Sequence, residues 1–434
     1  MTPRKLLILG NSAAAISAVN AIRGQGCDWP ITLVSREACE AYSPVLTTHY
    51  LRGAIEEEGL FVCDASFYLQ GYVQRRFGHS VVELDSKGQT VVLDDGERIG
   101  YDVLLIATGA SPKRVEQVDA DIASEICYLR TIEDARRIRE LARRARHIVV
   151  VGGGLVSLQV ATAIARLDLS VTCVVTSQQV LSQNVDQRCA SLIRRHAERS
   201  ANISFLLGTS AQRISREGTG YRVALDTGEV LRADMVVAGK GISPNVDFLD
   251  RREIDVRTGI LVDDHLRTSV KNVFAAGDLA EGRNRITGEI ELVPNWINAC
   301  EQGRIAGRNM VGGEESFEGS VTENMTTVFG LPVASIGVTR VGADDPELRE
   351  VTYSDEERNL YRKLVLKGDR PIGALLLRDI EDAGVLRDSI VRGSDLPLRE
   401  EDAARSFVTH ADVLRRCLYG KSGTEELDSR TAGW

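Results

Sequence analysis

The stretches LLILGNSAAAISAVNAIR, residues 6–23, and HIVVVGGGLVSLQVATAIARLDLSVTCVV, residues 147–175, decide the fold between them. Each carries an apolar strand into a glycine turn and then into an Ala-rich helix. In the second stretch Gly152 and Gly154 fill the first two positions of G-x-G-x-x-G, and Ser157 fills the third. Ser170–Val175 adds the next strand, completing the βαβ unit that this motif requires. The first stretch keeps only Gly10, with Ser12 and Ala15 at the other two positions. Ser is small enough for backbone to approach a pyrophosphate, and its hydroxyl can donate to a phosphate oxygen. Ala at the third position still permits close helix–strand packing. The helix N-terminus offers its dipole and free N–H groups whatever the side chains are. Ile31–Val34 reads as the following strand. One such match is weak evidence; two in one chain, each in a βαβ context, predict two dinucleotide sites.

Three further stretches end an apolar strand at a small residue. They are YDVLLIATGASP (101–112), RADMVVAGKGISPN (232–245) and KNVFAAGDLA (271–280). Such exits let backbone meet a ligand at the carboxyl end of a parallel sheet.

The composition bounds what the chain does. Its 434 residues, 43% hydrophobic and 26% charged, suit two or three globular domains, and no low-complexity tract or short repeat interrupts them. The net charge of −9 argues against a nucleic-acid partner, which needs clustered Lys and Arg. The most basic stretch, Arg136–Arg146, reads as a solvated helix with Glu133–Arg137 and Glu140–Arg144 pairs at i, i+4. The eight cysteines form no CxxC, which removes zinc fingers and a self-contained iron–sulfur cluster at ordinary spacing. No metal ligands are therefore assigned. No apolar run reaches the roughly 20 residues of a membrane helix, and Met-Thr-Pro-Arg-Lys leads straight into the first strand. A cytoplasmic chain with reduced thiols and no membrane partner is expected.

Together these motifs resemble the FAD- and NAD(P)-dependent oxidoreductases with two dinucleotide-binding domains, the pyridine nucleotide-disulfide oxidoreductase fold. The matching segments occur in the family's order over nearly the whole chain. The resemblance implies an α/β protein with two Rossmann-like domains plus a C-terminal α+β domain. The FAD-binding domain would be discontinuous, 1–112 and 243–315, with the NAD(P)H-binding domain, 113–242, inserted in it. A C-terminal interface domain would run over 316–434. There YRKLVLKGDRPIGALLLRDIEDAGVL, from Tyr361, shows strands about a Gly-Asp turn, similar to the C-terminal domain of rubredoxin reductase-like and nitrite reductase-like flavoproteins. GNSAAAISAVNAIR and AYSPVLTTHYL (41–51) also resemble the NADH-linked flavin subunits of tungsten aldehyde oxidoreductase, phenylglyoxylate dehydrogenase and similar iron–sulfur complexes.

Carried over residue by residue, the resemblance implies cofactor contacts at Gly10, Ser12, Ala13, Ala14, Glu37, Val81, Thr108, Gly109, Gly277, Asp278 and Gln302. On the nicotinamide side it implies Gly152, Gly154, Leu155, Val156 and Gly241. His49 and Gln159 are the catalytic candidates: His49 beside flavin N5, Gln159 where relatives place a glutamate near the nicotinamide. Glutamine keeps the hydrogen-bonding shape and loses the proton. Helix WINACEQGRIAGRNM (296–310) would aim its N-terminus at the flavin pyrimidine, with Trp296 bordering the acceptor side. The segment Tyr42–His49, where disulfide reductases and peroxidases keep cysteine, has none; Cys39 comes too early. Val175 stands at the ribose-acid position of NADH enzymes, and no arginine pair for a 2′-phosphate comes after it. The missing positive charge favours NAD(H) over NADP(H).

The resulting expectation is a flavoprotein passing hydride between nicotinamide and FAD, and electrons between FAD and an iron–sulfur protein or subunit, within a hetero-oligomer. Two alternatives stay open: an NADH oxidase acting on oxygen, and a non-enzymatic, flavin-stabilised assembly subunit.

Overall fold

Leu6–Leu9, fully buried, is the middle strand of a five-stranded parallel sheet. In the computed structural model, which describes residues 3–165, 169–341 and 346–394, its order is Val273–Ala275, Val103–Ile106, Leu6–Leu9, Ile31–Ser35, Val73–Phe77. Leu6–Leu9 and Val103–Ile106 are apolar at every position because helices and loops cover both faces. A second parallel sheet repeats the plan with Ile203–Leu207, Ser170–Val175, His147–Val151 and Met235–Ala238. The helices are α1 (Ala13–Gly24), α2 (Thr47–Leu51), α3 (Ala65–Gln70), α4 (Ile132–Ala142), α5 (Leu155–Ile164), α6 (Gln187–Ser200), α7 (Trp296–Met310) and α8 (Ala383–Arg392). Helices α1 and α5 come directly after the two glycine turns.

A small antiparallel ribbon carries the chain out of the first sheet's unit and back. Ala110–Pro112 leaves and Ile242–Pro244 returns, paired Ser111 to Ser243. Beyond α7 a five-stranded antiparallel sheet forms, in the order Glu323–Val328, Leu331–Gly337, Arg370–Leu377, Leu360–Lys367, Leu348–Asp355, with α8 packed on it. The Gly368-Asp369 turn joins two of its strands. The remainder of the expected C-terminal domain, 395–434, lies outside the described residues.

One hydrophobic core runs through all three parts. Tyr50 and Leu51 of α2, Ile138 of α4, Leu158 of α5, Val150 of the second sheet and Leu375 of the last sheet share it. Helices α1 and α7 approach backbone to backbone. A Cβ on Gly303 or Gly307 would run into the carbonyl oxygen of Ala14 or Ala18.

The basic stretch differs from the sequence expectation. Helix α4 stops at Ala142, and Glu133 pairs with Arg136 (2.9 Å), not Arg137. Arg137 instead donates to the carbonyls of Ser124 and Glu125, both at 2.9 Å, because that loop has oxygens to satisfy. Glu140 and Arg144 do pair, at 3.5 Å.

Candidate active site

The two turns are built alike. Gly10 has φ +121° and Gly152 φ +128°, conformations that L side chains rarely adopt. A Cβ on Gly10 would strike the Ala107 carbonyl, and one on Gly152 the Gly239 carbonyl. Each glycine thus lets one strand exit touch the next. Ser157 contributes more than small size, since its Oγ donates to the Gly239 carbonyl at 3.2 Å.

Helices α1 and α5 begin differently from several of the others. Asp64, Thr131, Asp186 and Asn295 cap α3, α4, α6 and α7 with their own side chains. Ser12 and Gly154 give α1 and α5 no such cap, and neither first turn holds an acid. The N–H groups at both turns therefore face outward without a side-chain acceptor.

A cavity of about 290 Å³ opens at the first turn. It brings together Gly10, Ser12, Glu37, Val81, Thr108 and Gly109, with Asn11, Tyr42, Arg130 and Asn245. Glu37 accepts a hydrogen bond from the Tyr42 hydroxyl at 2.7 Å. Thr108 Oγ1 donates to the Asn245 carbonyl while Asn245 Nδ2 donates to the Thr108 carbonyl, both at 2.8 Å. This clasp fixes two strand exits that are 137 residues apart. Cys39 borders the cavity, and burial followed by Glu37 and Glu40 pushes its thiol pKa up, away from the reactive thiolate.

Other expected residues lie outside that cavity's lining. Ala13 and Ala14 are buried in the core beneath the turn. Asp278 pairs with Arg130 at 2.6 Å. Gln302 is buried; its Oε1 accepts from the Gly277 N–H at 2.7 Å and its Nε2 faces Ser320 Oγ at 3.3 Å. Trp296 is half-buried against the α1–α7 core.

At the second turn Gly154 has open space around it and Val156 is exposed. Leu155 is half-buried, and Gly241 (φ +91°) also faces open space. Val175 is buried and fills the space over Gly153. Gln159 Nε2 donates to Thr326 Oγ1 at 2.7 Å, tying α5 to the last sheet. His49 Nδ1 lies 2.8 Å from an Arg52 guanidinium nitrogen. Burial and then Arg52 hold the His49 pKa below its ordinary value, so the ring is neutral near pH 7.

Sequence reasoning missed Asn11, Arg130 and Tyr68. Their roles arise from partners distant in the chain, as when the Tyr68 hydroxyl donates to Asn11 Oδ1 at 2.8 Å across 57 residues.

The family model for pyridine nucleotide-disulphide oxidoreductases matches residues 4–303. The chain belongs to this family. A second model, the rubredoxin NAD+ reductase C-terminal domain, matches 324–394. Among curated relatives, the NADH-dependent phenylglyoxylate dehydrogenase subunit epsilon of Aromatoleum evansii is 33% identical over 94% of this chain and 97% of its own. A rubredoxin-NAD(+) reductase of Pseudomonas putida is 30% identical over 71% and 80%. The solved structure of a ferredoxin reductase from Rhodopseudomonas palustris shares the fold, with a TM-score of 0.83, 24% identity, and coverage of 92% of this chain and 97% of that one. Membership in the pyridine nucleotide-disulphide oxidoreductases makes the chain an oxidoreductase using FAD and NAD(P)H. No helix among the described residues is long and apolar enough to cross a membrane.

Proposed function

We propose that this chain is the NADH-linked flavin subunit of a larger redox assembly, passing electrons between nicotinamide and an iron–sulfur partner. The observation that carries this is the near full-length similarity to an NADH-dependent dehydrogenase subunit. The absence of cysteine from Tyr42–His49, with Cys39 held as a thiol, turns the chemistry away from disulfides. The FAD part is taken as 1–112 with 243–315, the nicotinamide part as 113–242, and the part from 316 as the partner-facing domain.

The residues fit FAD. The uncapped N-terminus of α1 and the Ser12 hydroxyl suit its diphosphate. The Glu37 carboxylate, oriented by Tyr42, suits a ribose hydroxyl. Gly10 is where a side chain would be excluded by backbone. Asp278, steadied by Arg130, would accept a hydrogen bond from the ribityl chain. FAD, when bound, supplies the exchange between a hydride pair and single electrons.

His49 and Gln159 position and do not relay protons. Neutral His49 is a hydrogen-bonding group at pH 7, held beside Arg52. Gln159 carries no titrating proton and spends its N–H on Thr326, which holds the nicotinamide-side helix against the last sheet. The free N–H groups of α5 suit the diphosphate of the coenzyme.

Anaerobic stopped-flow reduction tests the proposal. NADH should bleach the flavin band rapidly, and the reduced protein should pass electrons to an added iron–sulfur protein while consuming oxygen slowly. Failure of both NADH and NADPH to bleach it would sink the enzyme reading in favour of an assembly subunit. Rapid oxygen consumption by the isolated chain would move it to the oxidases.

A further inference from the structure

Three strand exits of the second parallel sheet converge beside Thr176. Val175, aligned with the acid that binds the adenosine ribose, is buried over Gly153 and offers no polar atom from its side chain. The next residue, Thr176, is exposed, and its Oγ1 lies 3.2 Å from Lys240 Nζ and 3.2 Å from Ser210 Oγ. Lys240 comes after the strand Met235–Ala238, and Ser210 after Ile203–Leu207. No acidic residue occurs from 176 to 185. At this corner a carboxylate would accept from a ribose 2′-hydroxyl and repel a 2′-phosphate. Here the corner presents an ammonium and hydroxyls, all able to donate to phosphate oxygens. The linear pattern carries no sign of this grouping, because Lys240 stands 64 residues from Thr176 and on a different strand exit.

We infer that the adenosine end of the second nucleotide site accepts a 2′-phosphate, with Lys240 as the specificity-determining residue, so that NADPH competes with NADH. This rests on the reading of the Gly152 turn as a nicotinamide-coenzyme site. A lysine here serves either the 2′-phosphate or the diphosphate, and the two are separable because 5′-AMP carries a 5′-phosphate and no 2′-phosphate.

Calorimetric titration of the FAD-loaded, full-length protein with 5′-AMP and with 2′,5′-ADP tests it. The wild type should bind 2′,5′-ADP at least as tightly as 5′-AMP. Lys240→Glu should weaken 2′,5′-ADP roughly tenfold or more and leave 5′-AMP within about twofold. Thr176→Glu, placed on the facing strand exit, should do the same. Both positions are exposed, and retained FAD reports that each variant folds. A wild type preferring 5′-AMP by tenfold would overturn the inference while leaving the nucleotide site standing. So would a Lys240→Glu variant that weakens both probes equally, since Lys240 would then serve the shared 5′-phosphate. Binding of neither probe would overturn the site reading itself.

Discussion

The Tyr68 hydroxyl shows how one atom can hold a binding loop. It accepts from the Ala41 N–H at 3.0 Å and from the Cys63 thiol at 3.4 Å, and it donates to Asn11 Oδ1 at 2.8 Å. Burial first, then Cys63, keeps the phenol pKa above its ordinary value, so it remains a donor at all working pH. Tyr68→Phe leaves Asn11 and Ala41 short of a partner and should cost about 2 kcal/mol, with faster FAD loss tracked by flavin fluorescence. His49 gives a pH prediction. Its folded pKa is lowered, so as pH falls below about 6.5 the unfolded chain takes up the proton first. The stability tied to a neutral His49 is therefore full above that pH and falls as pH drops toward the folded value. An NMR titration placing the His49 midpoint above 6.5 would contradict this. At this scale the sequence was only partly legible. Glycines announce themselves through turn chemistry, whereas Arg130 acquires meaning only from Asp278, 148 residues away.

Elements were more legible than residues. The family resemblance implies a helix at WINACEQGRIAGRNM, and α7 spans those residues. What the pattern did not reveal is why Gly303 stands in that helix, since glycine weakens helices in isolation. Its reason is the crossing with α1, where the Ala14 backbone fills the place of a side chain. Gly303→Ala should destabilise by about 3 kcal/mol or more, because backbone yields less readily than a side chain. Gly384 in α8 is the contrast: a Cβ there meets nothing within 4 Å, and Gly384→Ala should stabilise by roughly 0.5 kcal/mol. Urea unfolding of the two variants side by side checks the pair, and equal effects would show that crossing space is not what sets the choice.

At the scale of the whole molecule, Asp186 locks the unit built on the second parallel sheet to the last sheet. It caps α6 by accepting from the Cys189 N–H, accepts from the Tyr361 hydroxyl at 2.7 Å, and faces the buried Lys363 ammonium at 3.3 Å, which also pairs with Glu350. Burial and the Asp186 carboxylate together raise the Tyr361 pKa above its ordinary value, keeping it a donor. Asp186→Ala should cost about 3 kcal/mol by removing a partner from a buried cation. Limited proteolysis should then cut 346–394 before the parallel sheets; simultaneous cutting would show that the lock lies elsewhere. The α/β plan was readable here from two repeated units. The lock was not, because Lys363 and Tyr361 look like ordinary strand residues until the sheet they belong to meets α6.

The paired ribbon of Ala110–Pro112 and Ile242–Pro244 sets a schedule for synthesis. Every strand of the second parallel sheet leaves the ribosome before Val273–Ala275, the edge strand that pairs with Val103–Ile106. Domains fold as units while the chain emerges. The second parallel sheet is therefore complete while the first still lacks its edge strand, and Val103–Ile106 waits for that partner. A chain ending at Asn245 and released from the ribosome should accordingly protect His147–Val151 from protease and leave Val103–Ile106 open to it.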